Sequence, residues 1–342
     1  MPAPCIVLVI LDAFPHTQLN RELAPQLWAL ASEGGRAPKG GRAVLSASTY
    51  PNHASFVTGV APGVHGILTS NAWIDGAFRP AHEVGPQAET LFDRCRAAGR
   101  SSAALFGDQN LVGVCGARSA DAHWPPEGVL PEAAPRGALG FGADRAVLAA
   151  LDELEIDAPD LLVLQLDEVD TARHLHGPES PEALAQCRAT DAAFGQLLER
   201  VRPRWDRSVV IALSDHDHEP VTPGAIDLAE ATASLGLELQ VDHDGTAALL
   251  AGPVDPARLP ELPGVEGWTS VAPDCTLVWG APGQQFGIDW GLKGHHGSPR
   301  TATQLAIVGG GHPAVPGLAA ELATHAPGAD SWAGLIGKLL EL

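Results

Sequence analysis

The sequence predicts an α/β fold, with a mostly parallel central sheet, helices on both faces of that sheet and a small inserted cap. Short apolar runs that are typical of buried parallel strands alternate along the chain with helical patterns. Alternating strands and helices indicate a parallel sheet that is covered on both faces. The 342 residues are enough for one large α/β domain or two smaller ones with a substantial core.

The individual elements follow from these patterns in chain order. Strands are predicted at residues 5–11, 42–46, 102–106, 160–166, 207–213 and 303–308. Helices are predicted at residues 24–33, 53–60, 88–99, 142–154, 180–201 and 330–341. Residues 108–140 are rich in Gly, Pro and Ala and are predicted to form a long loop, which inside a compact domain is often functional.

The cap is predicted between two parts of the core. Residues 219–290 carry further helix and strand signals at 226–235, 246–251 and 275–279. We interpret 219–290 as a small inserted α+β cap rather than an independent domain, so that residues 1–218 and 291–342 form the α/β core. No internal repeat or low-complexity tract is evident in the sequence.

The composition limits which binding partners and which cellular location can be expected for this protein. A net charge of −20 argues against a nucleic-acid polymer as a partner, because phosphate backbones require Lys and Arg, but it does not exclude a small anion bound through metal ions. The five cysteines are scattered and odd in number, which indicates neither a disulfide framework nor a zinc ribbon. The N-terminus lacks the basic region of a signal peptide, and no apolar run is long enough to span a membrane. We therefore expect a cytoplasmic protein without membrane association, and the oligomeric state stays open.

Acidic and histidine residues adjoin four of the predicted strands. The carboxyl ends of strands in open α/β sheets are where ligands bind, so these side chains could gather along one edge of the sheet. Three Asp, two or three His and one Thr provide enough oxygen and nitrogen ligands for two Zn²⁺-like ions. The residues concerned are Asp12, Thr49, Asp170, His174, Asp215, His216 and one of the pair His295 and His296.

The segment Thr49-Tyr50-Pro51-Asn52-His53 carries a candidate nucleophile. Thr49 is expected at the start of a helix, where unpaired backbone N–H groups favour anions. A hydroxyl at such a position that converges with the carboxylate of Asp12 suggests a metal-activated nucleophile. The alternative for Thr49 taken alone is a helix N-cap.

These motifs resemble the alkaline phosphatase superfamily, and most of all its nucleotide pyrophosphatase/phosphodiesterase branch, with the phosphonoacetate hydrolases nearby. Members carry a strand ending in Asp-Gly, then Thr-Phe-Pro-Asn-His, Val-Thr-Gly…His-Gly, Pro-Asp-x-x-Gly-His-x-x-Gly-Pro, Ser-Asp-His-Gly and His-Gly. The matching segments here occur in the same order: Leu11-Asp12-Ala13, Thr49 to His53, Val57-Thr58-Gly59…His65-Gly66, Val169-Asp170 to Pro178, Ser214-Asp215-His216 and His296-Gly297. One such motif would be weak, but several in the same order are specific.

The resemblance implies a role for each matched residue. One ion would be held by Asp12, Thr49, Asp215 and His216. A second ion would be held by Asp170, His174 and His296. Thr49 matches the nucleophile, and Asn52 matches the residue that hydrogen-bonds a phosphoryl oxygen. The two divalent ions are expected to be Zn²⁺, with Mn²⁺ or Fe as alternatives.

Three departures from the family pattern leave the ligands intact but change the surroundings of the substrate. Ala13 replaces the Gly after the first Asp, Arg173 replaces the Gly before the metal-binding His, and Asp217-His218 replaces Gly-Met. Arg173 and Lys293 are the candidate substrate-binding cations, and simple exposure to solvent is the alternative for both.

Several histidines compete for roles. His174 is preferred to His176 as a ligand because it stands four residues after Asp170 in the family spacing, and His296 is preferred to His295 because Gly297 follows it. His53 and His65 are interpreted as structural.

The predicted function is a metal-dependent phosphodiesterase or nucleotide pyrophosphatase-type hydrolase that acts on a small phosphorylated substrate. Thr49 would attack phosphorus in line with the leaving group while two ions neutralise the phosphoryl oxygens. The alternative is a phosphomonoesterase or phosphonate hydrolase on the same site, which would need a further cation for a dianion. A non-catalytic metal-bound binding protein is a third alternative, but its expected signature, the loss of the nucleophile or of a ligand, is absent from the motifs.

Overall fold

The computed structural model describes residues 4–154, 156 and 158–342. The strands are β1 Cys5–Leu11, β2 Gly35–Arg36, β3 Gly41–Arg42, β4 Asn71–Ile74, β5 Ala77–Pro80, β6 Ser102–Phe106, β7 Ala122–Trp124, β8 Leu161–Leu166, β9 Ser208–Leu213, β10 Glu219–Pro220, β11 Gln240–Asp244, β12 Ala247–Ala251, β13 Val265–Ala272, β14 Cys275–Gly280, β15 Gly294–His295, β16 Thr303–Gln304 and β17 Ala306–Gly309. The α-helices are α1 Pro25–Glu33, α2 Thr49–Thr58, α3 Pro62–His65, α4 Ala81–Val84, α5 Leu91–Ala98, α6 Leu111–Val114, α7 Asp144–Asp152, α8 Glu168–His176, α9 Pro181–Val201, α10 Leu228–Ser234, α11 Val315–Leu322 and α12 Trp332–Leu340.

A seven-stranded sheet in the order β2-β17-β9-β1-β8-β6-β7 forms the centre of the fold. β1 pairs in parallel with β8 on one side and with β9 on the other. β6 is parallel to both β8 and β7, whereas β17 runs antiparallel to β9 and to β2. The central sheet is therefore mostly parallel, and the predicted α/β class is confirmed.

Helices cover both faces of this sheet, because successive side chains of each strand point to opposite faces. On one face, Leu8 of β1 packs in a cluster with residues of α2, α5, α11 and α12. On the other face, Val9 packs in a cluster with residues of α1, α7 and α9. Burial on both faces explains why β1 is a continuous apolar run rather than an alternating one.

The prediction of a strand at residues 42–46 is wrong for most of its length. Only the pair Gly41–Arg42 is extended, and it pairs with Thr303–Gln304 outside the central sheet. The following residues form a loop because their hydrogen bonds go elsewhere. The Val44 N–H donates to Asn52 Oδ1 at 2.8 Å, and Ala47 exchanges two backbone hydrogen bonds with Gly297.

Further elements differ from the prediction, among them α11, where no helix was predicted. Residues 108–140 are not a structureless loop, since they contain α6 and the strand β7 at one edge of the central sheet. β7 is an edge strand that pairs with β6. Its three residues are too few to give a recognisable strand pattern in the sequence. α8, which follows β8 and carries Asp170 and His174, was not predicted as a helix. The other predicted helices agree with the structure to within about four residues.

A second, four-stranded antiparallel sheet lies in the region predicted as a cap, in the order β11-β12-β14-β13. The signals at 246–251 and 275–279 correspond to β12 and β14, which are largely buried, whereas the half-exposed β13 was not predicted. Two acids of β11 contact the core: Asp242 accepts a hydrogen bond from Thr69, and Asp244 accepts one from Ser48 at 2.8 Å. The division into core and cap at residues 219 and 290 stays a prediction.

Within the part of the chain that the structure describes, no helix combines the length and the apolar character needed to cross a lipid bilayer.

Candidate active site

The first group of predicted ligands meets at the carboxyl ends of β1 and β9, which are neighbours in the sheet. Asp12 directly follows β1. β9 is followed by Ser214 and then by Asp215 and His216. His216 Nε2 lies 3.6 Å from Asp12 Oδ1 and 3.4 Å from Asp215 Oδ2, and all three side chains are at most 1% exposed. Parallel pairing thus brings together residues that are about two hundred positions apart in sequence.

Thr49 is the first residue of α2, and it faces this group. Its Oγ1 lies 3.1 Å from His216 Nε2. His216 Nδ1 is 3.2 Å from the carbonyl oxygen of Asp217, which can only accept a hydrogen bond. In the neutral ring the proton is therefore on Nδ1, and the lone pair of Nε2 faces Thr49 and the carboxylates.

The second group lies on α8 and the loop after β15. Asp170 and His174 are one helical turn apart, so they share a face, with 3.3 Å between Asp170 Oδ2 and His174 Nε2. His296 Nε2 is 3.9 Å from Asp170 Oδ1. His174 Nδ1 lies 2.9 Å from the carbonyl oxygen of Gly294, so in the neutral ring the Nε2 lone pair faces a carboxylate oxygen here as well.

Two histidines that were not predicted as ligands also lie in these groups. His218 Nε2 is 2.7 Å from Asp170 Oδ1. His53, one turn after Thr49 on α2, is 3.5 Å from Asp215 Oδ2 through Nδ1, which also lies 2.9 Å from the Thr49 carbonyl oxygen. The Asp-His-Asp-His run at residues 215–218 was the signal for His218, because ligands often recur at short spacing.

The electrostatics of the site require positive charge. Burial raises the pKa of Asp12 well above its usual range, and the neighbouring carboxylates of Asp215 and Asp170 raise it further. Burial also lowers the pKa of His296 well below its usual range. Asp12 Oδ1, Asp215 Oδ2 and His296 Nδ1 are buried without a hydrogen-bond partner among the described residues. Buried carboxylates are costly unless they are paired or coordinate a cation.

The donor set fits divalent cations. Lone pairs of imidazole nitrogen and carboxylate oxygen face each other at 3.3–3.6 Å, which is repulsive unless a cation lies between them. Carboxylate and imidazole ligands together suit Zn²⁺, Fe and Mn²⁺. Among the residues that the structure describes, three sets have ligand atoms that all lie within 4.8 Å of one another: Asp12, Asp170 and His216; Asp12, His53 and Asp215; and Asp170, His174, His218 and His296.

Asn52 is fully buried beneath the loop that precedes Thr49. Its Nδ2 donates to the carbonyl oxygen of Ser48 at 2.8 Å, and its Oδ1 accepts from the Val44 N–H at 2.8 Å and from Gln304 at 3.2 Å. The amide therefore holds the nucleophile loop in place. A bond from Asn52 to a phosphoryl oxygen, which stays a prediction, would have to be donated by Nδ2, which carries two N–H groups and uses one of them for Ser48.

The structure does not bring the two candidate substrate-binding cations to the site. The Arg173 side chain is buried, and its Nη1 donates to the Ala13 carbonyl oxygen and to Asp217 Oδ1, each at 2.6 Å. It precedes His174 on α8 by one residue, which directs it about 100° around the helix from that ligand. Lys293 is exposed, and its backbone N–H donates to the His174 carbonyl oxygen.

A cavity of about 470 Å³ is lined by Thr49 and by the second ligand group, Asp170, His174 and His296. Its walls include carboxylates outside the predicted ligands, namely those of Asp108, Asp167, Asp242 and Asp244, and none of the described residues that line it is a Lys or an Arg. Burial raises the pKa of Asp108 to about 6. Sequence reasoning missed the apolar rim, formed by Leu139, Ile288 and Trp290, which are 40%, 65% and 73% exposed.

Comparisons of sequence connect this site with a known family. The family model described as type I phosphodiesterase/nucleotide pyrophosphatase matches residues 6–261. The chain is 29% identical over 234 residues to an uncharacterised pyrophosphatase/phosphodiesterase of Schizosaccharomyces pombe, which covers 64% of this chain and 45% of that protein. It is 27% identical over 231 residues to ectonucleotide pyrophosphatase/phosphodiesterase family member 1 of Rattus norvegicus, with 64% and 24% covered. The match thus spans less than half the length of these curated relatives.

Comparison of structures gives the same fold over almost the whole chain. Murine ectonucleotide pyrophosphatase/phosphodiesterase 5, in an inactive form in complex with AMP, superposes with a TM-score of 0.74 at 16% identity and covers 99% of this chain and 95% of that one. Phosphonoacetate hydrolase from Sinorhizobium meliloti, in complex with phosphonoacetate, gives 0.71 at 16% identity, with 99% and 97% covered. The chain belongs to the type I phosphodiesterase/nucleotide pyrophosphatase family, and so to the branch of the alkaline phosphatase superfamily that its motifs predict.

Proposed function

We propose that this protein is a metal-dependent phosphodiesterase or nucleotide pyrophosphatase-type hydrolase with Thr49 as its nucleophile and two divalent ions at its site. The observation that carries the proposal is the position of Thr49 Oγ1, 3.1 Å from His216 Nε2 and at the floor of the 470 Å³ cavity. Family membership supports the reaction class.

The two ligand groups suit two separate ions. Asp12, Asp215 and His216 would hold one ion together with Thr49, and Asp170, His174 and His296 would hold the other. When bound, divalent ions supply the positive charge that neutralises phosphoryl oxygens and lowers the pKa of a hydroxyl. We expect Zn²⁺ in both positions, with Mn²⁺ or Fe as alternatives.

Thr49 performs the covalent step in this proposal. Its hydroxyl gives its proton to water and Oγ1 attacks phosphorus, while the bond from phosphorus to the leaving-group oxygen breaks on the opposite side. That oxygen departs with the bonding electron pair, and a phosphothreonine ester results. Water then hydrolyses that ester and restores the hydroxyl. The backbone N–H groups at the start of α2 lack helical partners and would bind a non-bridging oxygen as its charge grows.

The cavity favours a phosphodiester over a phosphomonoester. A monoester dianion carries one more negative charge, and the described lining offers several carboxylates and no Lys or Arg to stabilise that charge. The apolar rim of Leu139, Ile288 and Trp290 suits the second organic group of a diester. We propose a small phosphorylated substrate, as for the structural neighbours in complex with AMP and phosphonoacetate.

A substrate panel tests this proposal. We expect kcat/KM to be higher for bis-p-nitrophenyl phosphate and a nucleotide 5′-ester than for p-nitrophenyl phosphate or phosphonoacetate. Elemental analysis should give about two ions per chain, a chelator should abolish turnover, and Zn²⁺ or Mn²⁺ should restore it. A preference for the monoester or the phosphonate would replace the proposed activity by its alternative on the same site. Full activity of metal-stripped protein would overturn the mechanism.

We also propose a cytoplasmic location. The five cysteines are buried and free, which suits a reducing compartment. Fractionation of cells that express the untagged protein tests this point, and recovery outside the cytoplasm would contradict it.

A further inference from the structure

His218 is a buried imidazole beside the second ligand group, and the function proposed above gives it no role. Its side chain is fully shielded from solvent, and its Nε2 lies 2.7 Å from Asp170 Oδ1. Its ring centroid is 4.4 Å from that of His174 and 5.2 Å from that of His296. Its Nδ1 is buried without a hydrogen-bond partner among the described residues.

A short strand pairing explains why His218 reaches this position. β10 and β15 are antiparallel, with Glu219 opposite His295 and Pro220 opposite Gly294. Continuing this register by one residue sets His218 opposite His296. Both rings therefore enter the site from adjacent backbone segments, which is a more constrained arrangement than two side chains on separate loops.

The contacts around Asp170 distinguish a shared cation from a simple hydrogen bond. His174 Nδ1 contacts a carbonyl oxygen, so the neutral ring turns a lone pair toward Asp170 Oδ2 at 3.3 Å. A metal ion between the two atoms makes that approach favourable while the ring stays neutral. The same carboxylate approaches His218 through its other oxygen, so one ion among these groups accounts for both contacts.

We infer that His218 is a fourth protein ligand of the ion held by Asp170, His174 and His296. The inference rests on the proposed two-ion site and adds to it. The four ligand atoms lie within 4.8 Å of one another, as one coordination sphere requires after small adjustments. Asp217-His218 stands where the family pattern has Gly-Met, so the family's ligand set does not include this residue.

Three imidazoles and one carboxylate determine which ion binds there. Imidazole nitrogen suits Zn²⁺ and other borderline ions, whereas Mn²⁺ and Mg²⁺ prefer oxygen ligands. Four protein ligands are typical of tightly held zinc, and a zinc ion with four such ligands can still accept a substrate oxygen by expanding to five-coordinate. This position is therefore expected to be the tighter of the two and the more selective for Zn²⁺ and Co²⁺ over Mn²⁺.

Cobalt substitution tests the inference without reference to turnover. The metal-stripped full-length protein is titrated with Co²⁺, and the visible absorption bands report the number and geometry of ligands at each ion. Wild type should show the intense bands of a four-coordinate ion with the first equivalent. His218→Gln keeps a donor for Asp170 but is a poor ligand, so it should lose these bands. The control His176→Gln changes an exposed histidine of α8, the helix that carries Asp170 and His174. It should leave the absorption bands unchanged.

Competition with a chromophoric chelator measures Zn²⁺ affinity in the same variants. His218→Gln should lower the Zn²⁺ affinity of one of the two positions by about 100-fold or more. Loss of a group that only contacts a ligand already lowers metal affinity by about 10–100-fold. Bands and affinities in His218→Gln that equal those of wild type would show that His218 only holds Asp170 and would overturn the inference. Weak six-coordinate bands in wild type would overturn it without any variant.

The diesterase activity of the wild type distinguishes failure of the proposed hydrolase function from failure of the proposed ligand role of His218. An active wild type with unchanged bands in His218→Gln refutes the role of His218 alone. An inactive wild type that binds ions refutes the proposed function and leaves the ligand assignment standing.

Discussion

At the scale of single residues, the site depends on which nitrogen of each histidine is free. The Nδ1 atoms of His174 and His216 contact the carbonyl oxygens of Gly294 and Asp217, at 2.9 and 3.2 Å. These contacts orient the rings and leave both Nε2 atoms for the carboxylates and Thr49. Such contacts behind a ligand set its tautomer and typically affect metal affinity by 10–100-fold.

Thr49 is the residue on which the proposed chemistry depends. Thr49→Ala should reduce kcat for the diester by about 10⁴-fold or more, because the attacking oxygen is lost. Thr49→Ser should retain part of the activity, since its hydroxyl can occupy the same position. Metal content measured by elemental analysis should stay near that of wild type in both variants. Substantial activity in Thr49→Ala would assign the attack to another group, with Ser46 and Ser48 as the nearest serine hydroxyls in sequence.

The two histidines of α8 provide a matched pair. His174 contacts Asp170, whereas His176 is exposed two residues later on the same helix. His174→Ala should lower both zinc affinity and kcat by about 100-fold or more, while His176→Ala should change neither by more than about twofold. Chelator competition and steady-state kinetics measure the two effects. Equal losses in both variants would indicate general damage to the helix.

At the scale of elements, the first residues of α7 and α8 are joined by a buried carboxylate. Asp144 Oδ1 accepts the Glu168 N–H at 3.2 Å, and its Oδ2 accepts the hydroxyl of Thr190 at 2.5 Å. Burial raises the pKa of Asp144 from 3.8 to about 7, with a contribution from Glu168. Because α8 carries Asp170 and His174, this junction also supports the second ligand group.

The raised pKa of Asp144 predicts a pH-dependent stability. The folded chain holds this proton and the unfolded chain releases it near pH 3.8, so the contribution is complete below that value and is lost as pH rises through about 7. Asp144→Asn should therefore gain stability relative to wild type between pH 5 and pH 8, by roughly 2–3 kcal/mol at about 1.4 kcal/mol per pH unit.

Denaturant unfolding of both proteins with a chelator at the two pH values measures this gain. The control is Asp152→Asn at the other end of α7, where the carboxylate is 56% exposed and paired with Arg200. It should show no such increase. A difference between Asp144→Asn and wild type that is constant with pH would mean that Asp144 titrates normally.

At the scale of the whole molecule, negative charge accumulates where the central sheet ends. The chain carries a net charge of −20, and the cavity above the sheet is lined by several carboxylates. Some of these come from β11 of the second sheet, whose Asp244 accepts hydrogen bonds from Ser46 at 2.5 Å and Ser48 at 2.8 Å. Cations at this position would link the central sheet, α2 and α8.

Removal of metal should therefore destabilise the entire fold. An ion present at about 100 times its Kd contributes about 2.7 kcal/mol, so chelation should lower Tm by several degrees. Differential scanning calorimetry with and without chelator measures the shift, and a chelator saturated with Zn²⁺ is the control. Thr49→Ala should show a similar shift although it is inactive. An unchanged Tm would contradict structural coupling between the ions and the fold.

The fold class, which the structure confirms, could be predicted from local sequence patterns, and so could the residues proposed as ligands. β1, β8 and β9 are continuous apolar runs because both faces of the sheet are covered, and that pattern is local. Asp12 directly follows the first of these runs, and Asp215 stands two residues after the last. Parallel strands present their carboxyl ends at one edge of the sheet. Their convergence could therefore be expected without coordinates.

The contacts of the other side chains could be seen only in the folded chain. His218 reaches the second ligand group because β10 pairs with β15, about seventy-five residues away in sequence. Arg173 turns toward Ala13 and Asp217, and the loop before Thr49 takes its hydrogen bonds from Asn52 and Gly297 rather than from a neighbouring strand. Such contacts depend on the direction of a side chain and on partners far along the chain, and neither is encoded in local hydrophobic periodicity.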